Sequence, residues 1–183
     1  MFSKQVRENL SLRLIQKTDA EQLFMLINKN RDYLREWLGW VDDTQTLKDI
    51  DFFIKSSLQR YTEKNGLLCT IVLDNNIIGV IDFNFIDQIN HQTGIGYWLS
   101  EDMQGKGIIT DSCKIFIDYA FDTLNLNRIQ IPAAEGNFKS RAVAERLGMK
   151  FEGIIREREY LYGRYINHAM YSLLRREWGI SNK

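Results

Sequence analysis

The amino-acid sequence predicts a mixed α/β (α+β) fold, a mixed sheet with helices on both faces. Three observations predict it. Three strand-like segments follow one another in the middle of the chain, as in a hairpin meander. The later strands are separated by amphipathic helices, as in crossover units. The order is strand, two helices, three strands, helix, strand, helix, two strands, which counts seven strands and is not the strict alternation of a doubly wound nucleotide fold.

Each element has its own signal. The segment LSLRLIQ, residues 10–16, alternates apolar and polar side chains and reads as the first strand. A helix follows, capped by Thr18 or Asp19, with Leu23, Leu26, Ile27, Leu34 and Leu38 at near-helical spacing. In a second helix Leu47, Ile50, Phe53, Ile54 and Leu58 share a face, and Asn65-Gly66 stops it. The segments GLLCTIVL and IIGVIDFNFI flank Asp74-Asn75-Asn76 and read as a hairpin, and TGIGYWLS is a further strand. In GIITDSCKIFIDYAFDTL, Ile109, Cys113, Phe116, Ile117 and Ala120 are expected to point inward from a helix. NRIQIPAA is a strand, and KSRAVAERLG is a helix ended by Gly148 as a left-handed cap. KFEGIIREREYLY and YINHAMYSLLRREW close the chain as two strands.

Bulk properties narrow the function classes. The chain has 183 residues, one proline and no linker-like or low-complexity stretch, so a single domain over 1–183 is expected. Lysine plus arginine and aspartate plus glutamate both number 24, which gives no basic footprint for nucleic acid. No apolar run approaches the ~20 residues that span a bilayer, so no membrane partner is expected. The first residues, MFSKQVRENL, lack the apolar core of a secretory signal, and a cytoplasmic location is expected. Cys69 and Cys113 stand apart in apolar contexts and read as small buried residues rather than nucleophiles. His91 and His168 are isolated, so no metal site is expected, although His168 in the last strand pair can make a polar contact.

The stretch QGKGIIT, Gln104 to Thr110, joins a strand to a helix. A P-loop needs G-x-x-x-x-G-K-[ST], but here one residue separates the glycines. A dinucleotide fingerprint needs a third glycine where Thr110 stands. Two readings remain, a glycine-tightened turn and an anion seat. Glycines let a phosphate approach the backbone, and N–H groups at a helix N-terminus converge on negative charge.

The loop resembles the Q/R-x-x-G-x-G/A motif of the GCN5-related N-acetyltransferase (GNAT) family. IGYWL upstream and NFKSRAVAERLGMKFEG downstream look like its later motifs, and the element order is similar over about residues 10–174. REWLGW, GKGIIT and EYLYG are similar to the branch that acetylates the N-termini of ribosomal proteins. The resemblance implies the acyl-CoA N-acyltransferase fold, a mostly antiparallel seven-stranded sheet whose fourth and fifth strands splay. It implies acetyl-CoA as cofactor, with pyrophosphate on the amides of Gln104, Gly105, Lys106, Gly107, Ile108 and Ile109 and a hydroxyl from Thr110. Ile109 departs from the family's glycine or alanine. The pantetheine arm would lie beside Trp98 and Leu99, and the amide near one of these would polarise the thioester carbonyl. Pro132, unusual within a strand, marks either a sheet edge or the splay.

The same resemblance implies the remaining site residues. Asn137 would bond the pantetheine or cap its helix. The family's tyrosine acid is replaced by Ala144, so Ser140 or water is expected to protonate the departing thiolate. Glu159 is the first choice of base, with a water chain, Tyr160 and Tyr162 as other contributors. Alternation puts Glu157 and Glu159 on one face and does not separate them. An α-amine near pKa ~8 is about a tenth neutral at pH 7, so it asks little of a base. Tyr33, Trp37, Trp40 and Tyr97 are expected on the acceptor side, Tyr33 and the two tryptophans being otherwise readable as core. The expected acceptor is a protein N-terminal α-amine. A small amine (polyamine or aminoglycoside-like) and a silent acyl-CoA-binding module are the alternatives. The last strands and exposed aromatics offer a surface for a homodimer.

Overall fold

The computed structural model describes residues 2–179. Its elements, in chain order, are β1 Ser3–Arg7, β2 Leu10–Leu14, α1 Ala20–Lys29, α2 Arg31–Arg35, α3 Leu47–Thr62, β3 Leu67–Leu73, β4 Asn76–Asp87, β5 Gln92–Leu99, α4 Ile108–Asp118, β6 Arg128–Ala134, α5 Phe138–Arg146, β7 Lys150–Leu161, β8 Arg164–Leu174 and α6 Arg175–Trp178. The strands are ordered β1-β2-β3-β4-β5-β6-β8-β7, and β5–β6 is parallel while β1–β2, β2–β3, β6–β8 and β7–β8 are antiparallel. This is a mixed α/β fold with a mostly antiparallel open sheet.

Three expectations need correction. The sheet has eight strands, not seven. The extra strand, SKQVR, is exposed along most of its length and so carries no apolar alternation to read. The helix expected through Leu38 breaks at Asn30, whose side-chain Nδ2 donates to the Leu26 carbonyl while its Oδ1 accepts the Glu101 N–H. The last strand ends at Leu174, where Glu177 accepts the backbone N–H of Leu174 and starts the short helix α6.

The chain divides into two compact units. One comprises the residues up to Asp82 with Tyr97–Ile108, the other Phe83–Gly96 with the residues from Ile109 onward. In the first, Leu23, Ile27, Ile50 and Ile54 of the helices form one buried cluster with Leu68, Val72, Ile77 and Val80 of β3 and β4. The Thr46 side chain and Asp49 cap α3 reciprocally, as the residue spacing dictates. The β3–β4 hairpin turns through Asp74 and Asn75, both at positive φ (48° and 66°), the conformation Asp and Asn tolerate best after glycine. Gly79 of β4 allows a close approach of β5: a Cβ there would lie 2.3 Å from the Trp98 carbonyl oxygen.

In the second unit Phe83 packs on Phe116 of α4 with ring centroids 4.7 Å apart. Cys113, Phe116, Ile117 and Ala120 are fully buried as expected, but Ile108 rather than Ile109 supplies the first buried position. The parallel β5–β6 pairing covers only Gln92–Gly94 against Arg128–Gln130. Beyond it β6 is paired with β8 alone, and Pro132 lies on that stretch, opposite Met170. A residue without an N–H is therefore placed where one neighbouring strand has already left the ladder.

Candidate active site

The first unit carries the glycine loop. Gly105 and Gly107 both take left-handed conformations, φ 72° and 73°, on either side of Lys106. A left-handed glycine on each side of one residue bends the backbone into a concave turn ahead of α4, which begins at Ile108. A Cβ on Gly105 would meet nothing within 4 Å, so the glycine keeps open space at that turn rather than relieving an internal clash. Arg7 Nη2 donates to the Lys106 carbonyl at 2.9 Å.

Burial first, then Glu101 and Glu36, raise the Tyr33 phenol above its ordinary value, and the Gln104 side chain acts the other way. Tyr33, Trp40 and Trp98 are half-buried against the apolar cluster, and the Trp40 and Trp98 rings lie 6.1 Å apart. Core packing therefore claims part of these three residues. Trp37 and Tyr97 are half-buried as well.

The backbone of β5 separates Trp98 from Leu99. Ser100 N–H donates to the Ile78 carbonyl of β4 at 2.8 Å. Peptide groups of successive strand residues point to opposite edges, so the Leu99 N–H points away from β4. Leu99, rather than Trp98, has its amide on the edge where a partner other than β4 can take it.

The second unit carries the other candidates. Thr110, nearly buried in the first turn of α4, accepts a hydrogen bond from Arg146 Nε at 3.3 Å. Asn137 caps α5: its Oδ1 accepts the Ser140 N–H at 3.0 Å. Ser140 is half-buried in that first turn, and Ala144 is fully buried. His168 Nε2 and Glu159 Oε2 are 2.9 Å apart, with side-chain exposures of 14% and 35%. Glu157, by contrast, is exposed, sits at φ 50° and donates its N–H to Asn167 Oδ1. The structure thus separates the two glutamates that alternation placed together. Tyr160 is 63% exposed and pairs with the Tyr165 ring at 5.0 Å. Both cysteines are fully buried, and burial pushes both thiols up, which suits packing and not nucleophilic work.

Two residues near these candidates have no local sequence signal. Arg7 reaches the loop from 99 positions away and Arg146 reaches Thr110 from 36. A composition or spacing argument sees only surface arginines.

The family model described as acetyltransferase (GNAT) domain matches residues 9–150. The chain belongs to the acetyltransferase (GNAT) domain family. It is 39% identical over 179 residues to the putative ribosomal N-acetyltransferase YdaF of Bacillus subtilis, covering 97% of this chain and 98% of that one. It is 30% identical over 167 residues to the ribosomal-protein-serine acetyltransferase of Escherichia coli, covering 91% and 93%. Among solved structures, RimL, a ribosomal L7/L12 alpha-N-protein acetyltransferase in complex with coenzyme A, superposes with a TM-score of 0.92 at 28% identity, covering 94% of this chain and 98% of that one.

The chain is accordingly an N-acetyltransferase whose acetyl donor is acetyl-CoA. Its residues fit that donor. Open space at Gly105 and two left-handed glycines suit a pyrophosphate against the backbone, and the helix that follows presents its N-terminal amides. The thioester supplies an activated acetyl group with a thiolate leaving group.

Proposed function

We propose that this acetyltransferase modifies the N-terminal α-amine of a protein, a ribosomal protein being the expected class. The observation that carries the reading is the near-full-length similarity to the two ribosomal-protein acetyltransferases named above. On this reading the whole chain acts as one N-acetyltransferase domain in the cytoplasm.

The roles are assigned as follows. The amides of Gln104, Gly105, Lys106, Gly107, Ile108 and Ile109 hold the pyrophosphate, and Thr110 adds its hydroxyl. Trp98 and Leu99 flank the pantetheine, and the Leu99 N–H polarises the thioester carbonyl as a single donor. Asn137 fixes the start of α5 and so positions Ser140, which, or a water in its place, gives a proton to the thiolate. A thiol with pKa ~8.5 needs no strong acid, which accommodates Ala144 at the family's tyrosine position. Glu159, directly or through water, takes a proton from the amine. Tyr33, Trp37, Trp40 and Tyr97 border the acceptor.

A steady-state panel tests the reading. The protein is assayed with acetyl-CoA against a peptide bearing a free N-terminal serine, the same peptide blocked at its N-terminus but carrying an internal lysine, and spermidine. Turnover of the first alone supports the proposal. Turnover of spermidine with none of the free peptide replaces it with small-amine acetylation.

A further inference from the structure

We infer that His168 is a positioning residue for Glu159, and that an irregularity in β7 exists to bring the two together; the inference rests on Glu159 being the base. The geometry begins in the strand register. Ile155 faces His168, but Glu159 faces Ile166. In an unbroken antiparallel ladder Glu159, four residues beyond Ile155, would face Arg164. His168 would then lie four residues along β8, about 13 Å away at ~3.3 Å per residue.

Instead residues 156–158 of β7 oppose the single residue Asn167. The extra length moves Glu159 back by two positions, which keeps it on the His168 face and makes the pair diagonal neighbours. Such neighbours are about 7–8 Å apart, and somewhat less at their Cβ atoms, within reach of a glutamate and an imidazole. The observed Nε2–Oε2 distance is 2.9 Å. Bulges of this kind re-aim side chains, and this one is held on both sides. Asn167 Oδ1 accepts the Glu157 N–H at 2.9 Å, and Asn167 Nδ2 donates to Glu135 Oε2 at 2.9 Å.

The other ring nitrogen settles which partner donates. His168 Nδ1 is buried and has no hydrogen-bond partner among the described residues. A buried N–H without an acceptor costs more than a buried lone pair, so the proton of the neutral ring belongs on Nε2. Nε2–H then donates to Glu159 Oε2, holding the carboxylate as an acceptor, while the more exposed glutamate remains accessible to an amine or a water. His168 touches no reacting atom in this scheme; it fixes the rotamer of the group that does.

The experiment has two arms. The first uses nitrogen-15 NMR of the imidazoles in the full-length protein; with only two histidines, His91→Gln assigns the spectrum. The inference expects His168 to carry a proton on Nε2 and its signal to move in Glu159→Gln. A ring protonated on Nδ1 alone overturns it. The second arm compares variants on the serine peptide. His168→Ala should lower kcat about tenfold with KM for acetyl-CoA unchanged, and His168→Gln, whose amide reaches the Nε2 position, should restore most of it. Adding His168→Ala to Glu159→Gln should cost nothing further, because the two act as one unit. Full kcat in His168→Ala with loss in Glu159→Gln overturns the inference and leaves Glu159 as base. Full kcat in Glu159→Gln removes the base assignment itself, and the inference with it.

Discussion

Arg7 Nη2 donates to the carbonyl oxygen of Lys106 at 2.9 Å, so the edge strand β1 holds the middle peptide of the glycine loop. A trans peptide is planar, and its C=O and N–H point in opposite directions. Fixing the Lys106 carbonyl toward Arg7 therefore aims the Gly107 N–H away from it. Arg7→Ala removes that hold while leaving the loop sequence intact. The contact is exposed, so a loss of about 1 kcal/mol is expected, roughly a fivefold rise in Kd for coenzyme A by calorimetry.

Gly105→Ala separates fold from cofactor. Its left-handed φ of 72° costs a side chain about 1 kcal/mol, but the new Cβ meets nothing within 4 Å. The variant should fold with a small drop in Tm. Coenzyme A affinity should fall more than tenfold, since the methyl group occupies the space assigned to the pyrophosphate. Unchanged affinity would move the phosphate elsewhere.

Gly79→Ala should do the reverse. Its Cβ would stand 2.3 Å from the Trp98 carbonyl oxygen and 3.0 Å from Leu99 Cα, both backbone atoms of β5. Neither can rotate away. A loss on the order of 3 kcal/mol is expected, or about 10 °C in Tm by thermal unfolding.

Asp82 gives the protein a pH-dependent stability. Burial pushes its carboxyl up to about 7, while Arg60, 3.7 Å away, pulls it down. The folded state thus keeps a proton that the unfolded chain releases near pH ~4. Stability is complete below that pH and is lost as pH rises through about 7, because the folded state binds more protons over this window. Denaturant unfolding should show a decline on the order of 2 kcal/mol between pH ~5 and ~8 from this group. Asp82→Asn should flatten it; an unchanged slope would assign the effect to other groups.

Much of the fold was legible because its signals are local. Asp74-Asn75 marked a hairpin, and alternation or helical spacing marked most strands and helices. What stayed hidden depends on partners distant in sequence. β1 is polar at every position but Val6 and is a strand only because β2 lies beside it. The break at Asn30 comes from a side chain that serves the Leu26 carbonyl and the Glu101 N–H together. Arg7 and Arg146 look like any surface arginine until the loop and Thr110 are placed against them.

The candidate site divides along the same line. Gly105, Gly107 and Asn137 were readable because each does a backbone job its residue type predicts, a left-handed turn or a helix cap. Glu159 could not be told from Glu157, because period-two alternation holds only in an unbroken strand and residues 156–158 break it. Trp98 and Leu99 could not be told apart either, since the direction of a strand amide depends on which residue of β4 it faces.

The central claim is acetylation of a protein N-terminus. It is tested most directly by mass spectrometry of protein N-termini from cells with and without this chain. The account predicts that at least one ribosomal protein carries an acetylated α-amine only when the chain is present, and that substituting Glu159→Gln abolishes the modification. An unchanged set of N-termini, with acetylation appearing instead on a small amine in the same cells, would contradict it.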